Sequence, residues 1–209
     1  MIIDFHKFKS GKQYVFVKTH TNQKVFLRNI IFLHNTINPS QIVLVHTFGK
    51  RGNKEAWEPP KGQMEWKEFA SAGYKPNDTV SQKGLETNQR AGILRELAEE
   101  AKILPNEITG LERLPHSYKQ HWPESGLKDA YFIYTYWKAK VTPQVLFEAQ
   151  KRLNILKKDR DLKAMLPPDN SEKDGVCFWN PRDGLDILYG DFSKKMTIEY
   201  YKKYNSHDV

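Results

Sequence analysis

Arg95-Glu96-Leu97-Ala98-Glu99-Glu100, followed by Ala101-Lys102-Ile103, is the stretch on which the reading of this chain turns. At 100° per residue, Ile93, Leu94, Leu97, Ala98 and Ala101 share one arc of a helix expected over 88–103. Glu96, Glu99 and Glu100 gather on another arc, at spacings i, i+3 and i+4. Like charges so placed repel by about 0.2–0.5 kcal/mol per pair. A divalent cation reverses that balance, because Mg²⁺ and Mn²⁺ take hard oxygen ligands and commonly bridge to phosphates. The same face alone also reads as a solvated acidic surface. Thr87 or Asn88 is the expected N-cap, and Pro105 limits the far end.

Upstream, Trp57-Glu58-Pro59-Pro60-Lys61-Gly62 follows a β-rich segment. With both stretches in this order, the chain resembles the Nudix hydrolases, whose signature is Gly-x5-Glu-x7-Arg-Glu-U-x-Glu-Glu-x-Gly-U, where U is bulky and aliphatic. Arg95-Glu96-Leu97-x-Glu99-Glu100 matches its most specific part, Ile103 fills the last aliphatic position, and Pro60-Lys61-Gly62 matches a common opening. Gly62-x5-Glu68 fits the first half, but 26 residues separate Glu68 from Arg95 where the signature has 7, an excess of 26 − 7 = 19. Counting back from Arg95 reaches Thr87, next to Glu86, so the outer glutamate is Glu68 or Glu86. Lys102 stands in place of the signature glycine at an expected left-handed helix cap, which costs a non-glycine residue about 1 kcal/mol.

The resemblance implies an α/β (α+β) fold, an α/β/α sandwich with a mixed β-sheet. It implies that Glu96, Glu99 and Glu100 bind Mg²⁺ or Mn²⁺, that Arg95 orients them and that the backbone at Gly62 completes the cage. The reaction implied is in-line hydrolysis of a diphosphate linkage, with Glu99 or Glu100 available to accept the proton of the attacking water. The same opening is found in mRNA-decapping members and in members that cleave dinucleoside polyphosphates. Lys61 is the candidate phosphate contact, and Trp66, Tyr118 and Trp122, read as loop or strand-edge residues, are candidates for stacking on a base. His116 and His121 lie near the same loop and read as surface or hydrogen-bonded groups.

The charge balance leans toward RNA. The 209 residues hold 33 Lys and Arg against 25 Asp and Glu, a net charge of +8. Lys151, Arg152, Lys157, Lys158 and Arg160 cluster in and after a second helix, and Lys194, Lys195, Lys202 and Lys203 recur on a last one beside Tyr200, Tyr201 and Tyr204. The expected substrate is a nucleotide, with the 5′ cap of RNA ahead of dinucleoside polyphosphates. An RNA-binding module of the same fold with little catalysis is the alternative from another class.

Composition sets the remaining bounds. Hydrophobic residues make up 39% and aromatic residues 12%, enough for a core. Cys177 is the single cysteine, which excludes a disulfide framework or a cysteine-based metal cluster. No apolar run approaches a membrane span, and the start Met1-Ile2-Ile3-Asp4-Phe5 lacks a signal-peptide layout, so the expected setting is cytoplasmic. One domain is expected over 1–209, with an N-terminal extension over about 1–24, an insertion in the motif loop over about 66–87 and a basic helical end over about 190–209. Strands are expected at Tyr14–Val17, Val25–Leu33, Ile42–Phe48, Tyr131–Lys140 and Val176–Trp179, with basic and Pro-rich loops at 50–54 and 166–170.

Overall fold

Runs of β-branched and aromatic residues make the first quarter of the chain strand-forming, and the chain follows them. The computed structural model describes residues 1–21, 23–47, 56–122, 127, 129–166 and 172–204. The basic loop expected at 50–54 lies outside these residues, as does 167–170. The strands are β1 (Ile2–Lys7), β2 (Gln13–Lys18), β3 (Lys24–Asn35), β4 (Ile42–Thr47), β5 (Trp57–Glu58), β6 (Lys61–Gln63), β7 (Thr109–His121), β8 (Ala130–Val141) and β9 (Lys173–Trp179). The α-helices are α1 (Trp66–Ser71), α2 (Gln82–Glu96), α3 (Pro143–Lys158), α4 (Arg160–Met165) and α5 (Gly190–Tyr204). A π-helical segment, Leu97–Ala101, follows α2 directly. The expected combination of helices with a β-sheet is therefore present. Its pairs β1–β2, β2–β3, β3–β6, β3–β4, β4–β5 and β4–β9 are antiparallel, and a parallel bridge joins Trp57 to Leu188.

The chain divides into two compact units, each built from three segments. The first comprises Met1–Ile30, Lys61–Arg95 and Arg113–Trp137. Residues 1–24, read from sequence as an extension, form β1 and β2 here. Ile3, Val15, Leu27, Met64, Trp66, Phe69, Val80 and Leu85 are its buried apolar cluster. Gly92 permits a close approach of α2, since a Cβ there would stand 2.4 Å from Met64 Sδ. Polar groups pin the same contact: Asn29 Nδ2 donates to the Gln89 carbonyl at 3.2 Å, and Trp137 Nε1 donates to Asn29 Oδ1 at 3.1 Å.

Helix α2 begins at Gln82, six residues before Asn88, which corrects the expected start. Ser81 does the capping: its Oγ accepts from Gly84 N at 3.0 Å, and its carbonyl accepts from Leu85 N at 2.9 Å. Asn88 is buried within the helix and its side chain donates to the Gly84 carbonyl at 2.8 Å. The supposed insertion is thus partly an extra stretch of helix.

The second unit comprises Ile31–Pro60, Glu96–Glu112 and Lys138–Val209. Ile42, Val43, Leu44 and Val45 of β4 are buried along their whole length, with β9 paired beside them. Helix α3 opens on Thr142, whose Oγ1 accepts from Val145 N at 3.3 Å, and packs on β9. Gln150 Oε1 accepts from Val176 N at 2.9 Å across that contact. Tyr200 of α5 stacks on Phe32 with ring centroids 3.7 Å apart.

Candidate active site

Arg95 and Glu96 are consecutive, and the division between the units falls at the bond joining them. On the first side, Arg95 Nε donates to Glu68 Oε1 at 2.6 Å, and Nη2 donates to the Gln63 carbonyl at 3.1 Å. Glu65 lies 3.8 Å from Nη1. The Glu68 side chain is only 6% exposed and also closes the first turn of α1, accepting from Glu65 N at 2.8 Å. Burial pushes the Glu68 carboxyl above its ordinary value, and the Arg95 guanidinium offsets part of that rise. Of the two candidates for the outer glutamate, Glu68 carries the contact to Arg95, whereas Glu86 is exposed on α2.

On the second side, Glu96, Glu99 and Glu100 are half-buried at the end of α2 and in the π segment. A π turn holds more residues than an α turn and so shifts the carboxylates off an ideal α face; such insertions frequently accompany functional sites. Leu97, Ala101 and Ile103 are buried and anchor the segment. Lys102 terminates it at φ 56°, the left-handed conformation in which the signature carries glycine. The strained turn is braced: Lys102 Nζ donates to the Glu99 carbonyl at 2.7 Å, and Arg152 Nη1 donates to the Lys102 carbonyl at 2.8 Å.

Lys173 was not singled out from the sequence, yet it is central here. Its side chain is 3% exposed. Nζ donates to Thr47 Oγ1 at 2.8 Å and to Glu58 Oε1 at 2.8 Å, and lies 3.2 Å from Glu100 Oε1. Burial alone would lower this ammonium, but the carboxylates of Glu100 and Glu58 outweigh it and hold Lys173 above the ordinary lysine range. No spacing rule connects residue 173 with residue 100, so the sequence offered no signal for it. Glu58 falls within the Trp57–Gly62 stretch, and nothing in its spacing points to Lys173.

The donor chemistry of Glu96, Glu99 and Glu100 suits a hard divalent cation. Among the described residues, no three His, Cys, Asp or Glu side chains already converge as a metal cage. Glu100 is instead turned onto a lysine ammonium, itself a cation held by oxygen donors.

The other sequence candidates divide. Lys61 and Gly62 lie on β6, paired with Ile30 and Asn29. Trp66 is not a loop or edge residue: it opens α1, is 8% exposed and stacks within the core beside Phe69 and Phe5, which removes it as a stacking surface. Trp122 follows β7, half-buried, with its ring stacked on Phe132 at 4.1 Å. Tyr118 is half-buried on β7. His116 meets Tyr136 edge-on, and His121 lies against Tyr131. Cys177 is half-buried, and burial pushes its thiol up to about 12.

Part of the basic patch proves structural. Arg152 donates to both carboxylate oxygens of Glu107, at 2.7 and 2.6 Å, and Lys151 pairs with Glu148 at 3.0 Å. Tyr200 and Tyr201 are buried, not displayed beside the lysines of α5. No helix among the described residues is long and apolar enough to cross a membrane.

No family model matches the chain, and no curated protein matches it. Among solved structures it is similar to a Nudix hydrolase from Nitrosomonas europaea, at 12% identity and TM-score 0.42, covering 86% of this chain and 90% of that one. It is also similar to an Ap4A hydrolase of C. elegans in a binary complex, at 13% identity and TM-score 0.44, covering 87% and 98%. The Nudix domain of Shewanella oneidensis NrtR, solved with ADP ribose, shows 13% identity and TM-score 0.45, covering 87% and 88%.

Proposed function

We propose that this chain is a divalent-metal-dependent hydrolase of diphosphate linkages. More particularly, we read it as a Nudix-type enzyme acting on a nucleotide, with the 5′ cap of RNA as substrate and a capped-nucleoside diphosphate as product. The observation that carries the reading is the unbroken Arg95-Glu96-Leu97-Ala98-Glu99-Glu100 at the end of a helix, closed by a left-handed Lys102 where the signature has glycine.

In this reading Glu96, Glu99 and Glu100 hold Mg²⁺ or Mn²⁺. The metal supplies neutralisation of charge on the phosphate oxygens and polarisation of the phosphorus. Arg95 holds Glu68 as the outer glutamate. The left-handed turn at Lys102, braced by Arg152, sets where the segment stops. Glu99 or Glu100 takes the proton of the attacking water. Lys61 offers a point charge to a phosphate, and Tyr118 and Trp122 remain the candidate base contacts. Lys151, Lys157 and Lys158 of α3, with Lys194, Lys195, Lys202 and Lys203 of α5, attract the polyanionic RNA body.

Incubation with capped RNA and Mn²⁺ should release a capped-nucleoside diphosphate. Release from diadenosine tetraphosphate but not from capped RNA would move the reading to dinucleoside polyphosphates. Tight RNA binding with no release from either would favour a binding module.

A further inference from the structure

A lysine at the start of a strand normally keeps its ammonium in water, and burying one costs several kcal/mol unless it is paired. The strand pairing is what buries Lys173. The β4–β9 register runs from Ile42 opposite Trp179 to His46 opposite Gly175, then slips so that Thr47 faces Lys173. Asp174 is the extra residue of this bulge, a device that re-aims neighbouring side chains. The bulge is locked on both sides: His46 Nδ1 and Asp174 Oδ1 lie 2.6 Å apart, and a Cβ on Gly175 would stand 3.2 Å from His46 Cβ and 3.4 Å from Trp57. The ammonium is thereby delivered to two carboxylates and a hydroxyl, one acceptor for each of its three N–H donors.

Two carboxylate oxygens and a hydroxyl oxygen are also a hard-cation donor set. We propose that Thr47, Glu58 and Glu100 form a cation position and that the Lys173 ammonium permanently fills it. Lys173 is then a positioning residue: it fixes the orientation of the Glu100 carboxylate. It also removes one place that a second ion could take. This inference rests on the reading of Glu100 as a metal ligand. It deepens that reading by limiting how many ions the glutamate helix recruits.

Counting Mn²⁺ bound to the full chain by electron paramagnetic resonance tests it. Lys173→Met should bind one more Mn²⁺ than the unaltered protein, and adding Glu58→Gln should abolish or strongly weaken the gained site. Equal numbers in the unaltered protein and in Lys173→Met would overturn the proposal. If Lys173→Met is unfolded in buffer, millimolar Mn²⁺ should restore its folded circular dichroism; a variant still unfolded with Mn²⁺ would also overturn it. An unaltered protein that binds no Mn²⁺ and hydrolyses nothing would instead defeat the proposed function, while a gained ion in Lys173→Met would still stand.

Discussion

Arg95 and Lys173 each hold carboxylates, and they do so differently. Arg95 places a planar fork on the Glu68 carboxylate and the Gln63 carbonyl, with Glu65 beside it, within a single unit. Lys173 places a point charge among Glu58, Glu100 and Thr47. The fork fixes geometry through direction, whereas the ammonium fixes charge and tolerates exchange of partners. The first arrangement is suited to being rigid, the second to standing next to a site that recruits cations.

The two clusters should therefore fail differently. Arg95→Ala strands the Glu68 carboxyl in a buried place, so urea unfolding should show a loss of about 3–5 kcal/mol. A loss under 1 kcal/mol would mean that the fork is dispensable. Thr47→Val keeps shape but leaves one ammonium donor of Lys173 unmet, and should cost about 2 kcal/mol by the same measurement. An unchanged midpoint would show that the ammonium has re-partnered.

Arg152→Ala probes the brace on the left-handed turn and should cost about 1 kcal/mol, since its pair with Glu107 is partly solvated. Its pH dependence has a definite sign. The hydrogen bond from Arg152 depresses the Glu107 carboxyl below its ordinary value of 4.5. Stability from the pair is thus present above that value and is lost as pH falls through the lowered one. The gap in melting temperature between unaltered protein and variant should close on acidification; a gap that is constant from pH 7 to pH 3 would exclude the pair as its source. The smallest effect belongs to Glu86→Gln, which should stay within about 0.5 kcal/mol and leave turnover unchanged. A loss of turnover there would return the outer position to Glu86.

The same contrast marks what was legible in the sequence. Arg95, its glutamates and the left-handed Lys102 were readable because helical spacing and a signature are local patterns. Glu68 against Glu86 was not, because the contact to Arg95 spans 27 positions and depends on how α1 folds. Trp66 looked peripheral since it lies among Gly and Pro breakers, yet burial of Phe5, Trp66 and Phe69 overrides that local cue. The early start of α2 was hidden by Gly84, which reads as a breaker but serves as the donor to the Ser81 cap. Lys173 was hidden twice, by its distance along the chain from Glu100 and by a bulge that no alternation pattern announces.

The most direct test of the central claim is hydrolysis of capped RNA and of diadenosine tetraphosphate with Mn²⁺, comparing the unaltered protein with Glu99→Gln/Glu100→Gln. Turnover of at least one substrate, falling by about 10²-fold or more in the variant while RNA affinity is kept, is the expected result. Equal turnover in both proteins would contradict the assignment of hydrolysis to the glutamate helix.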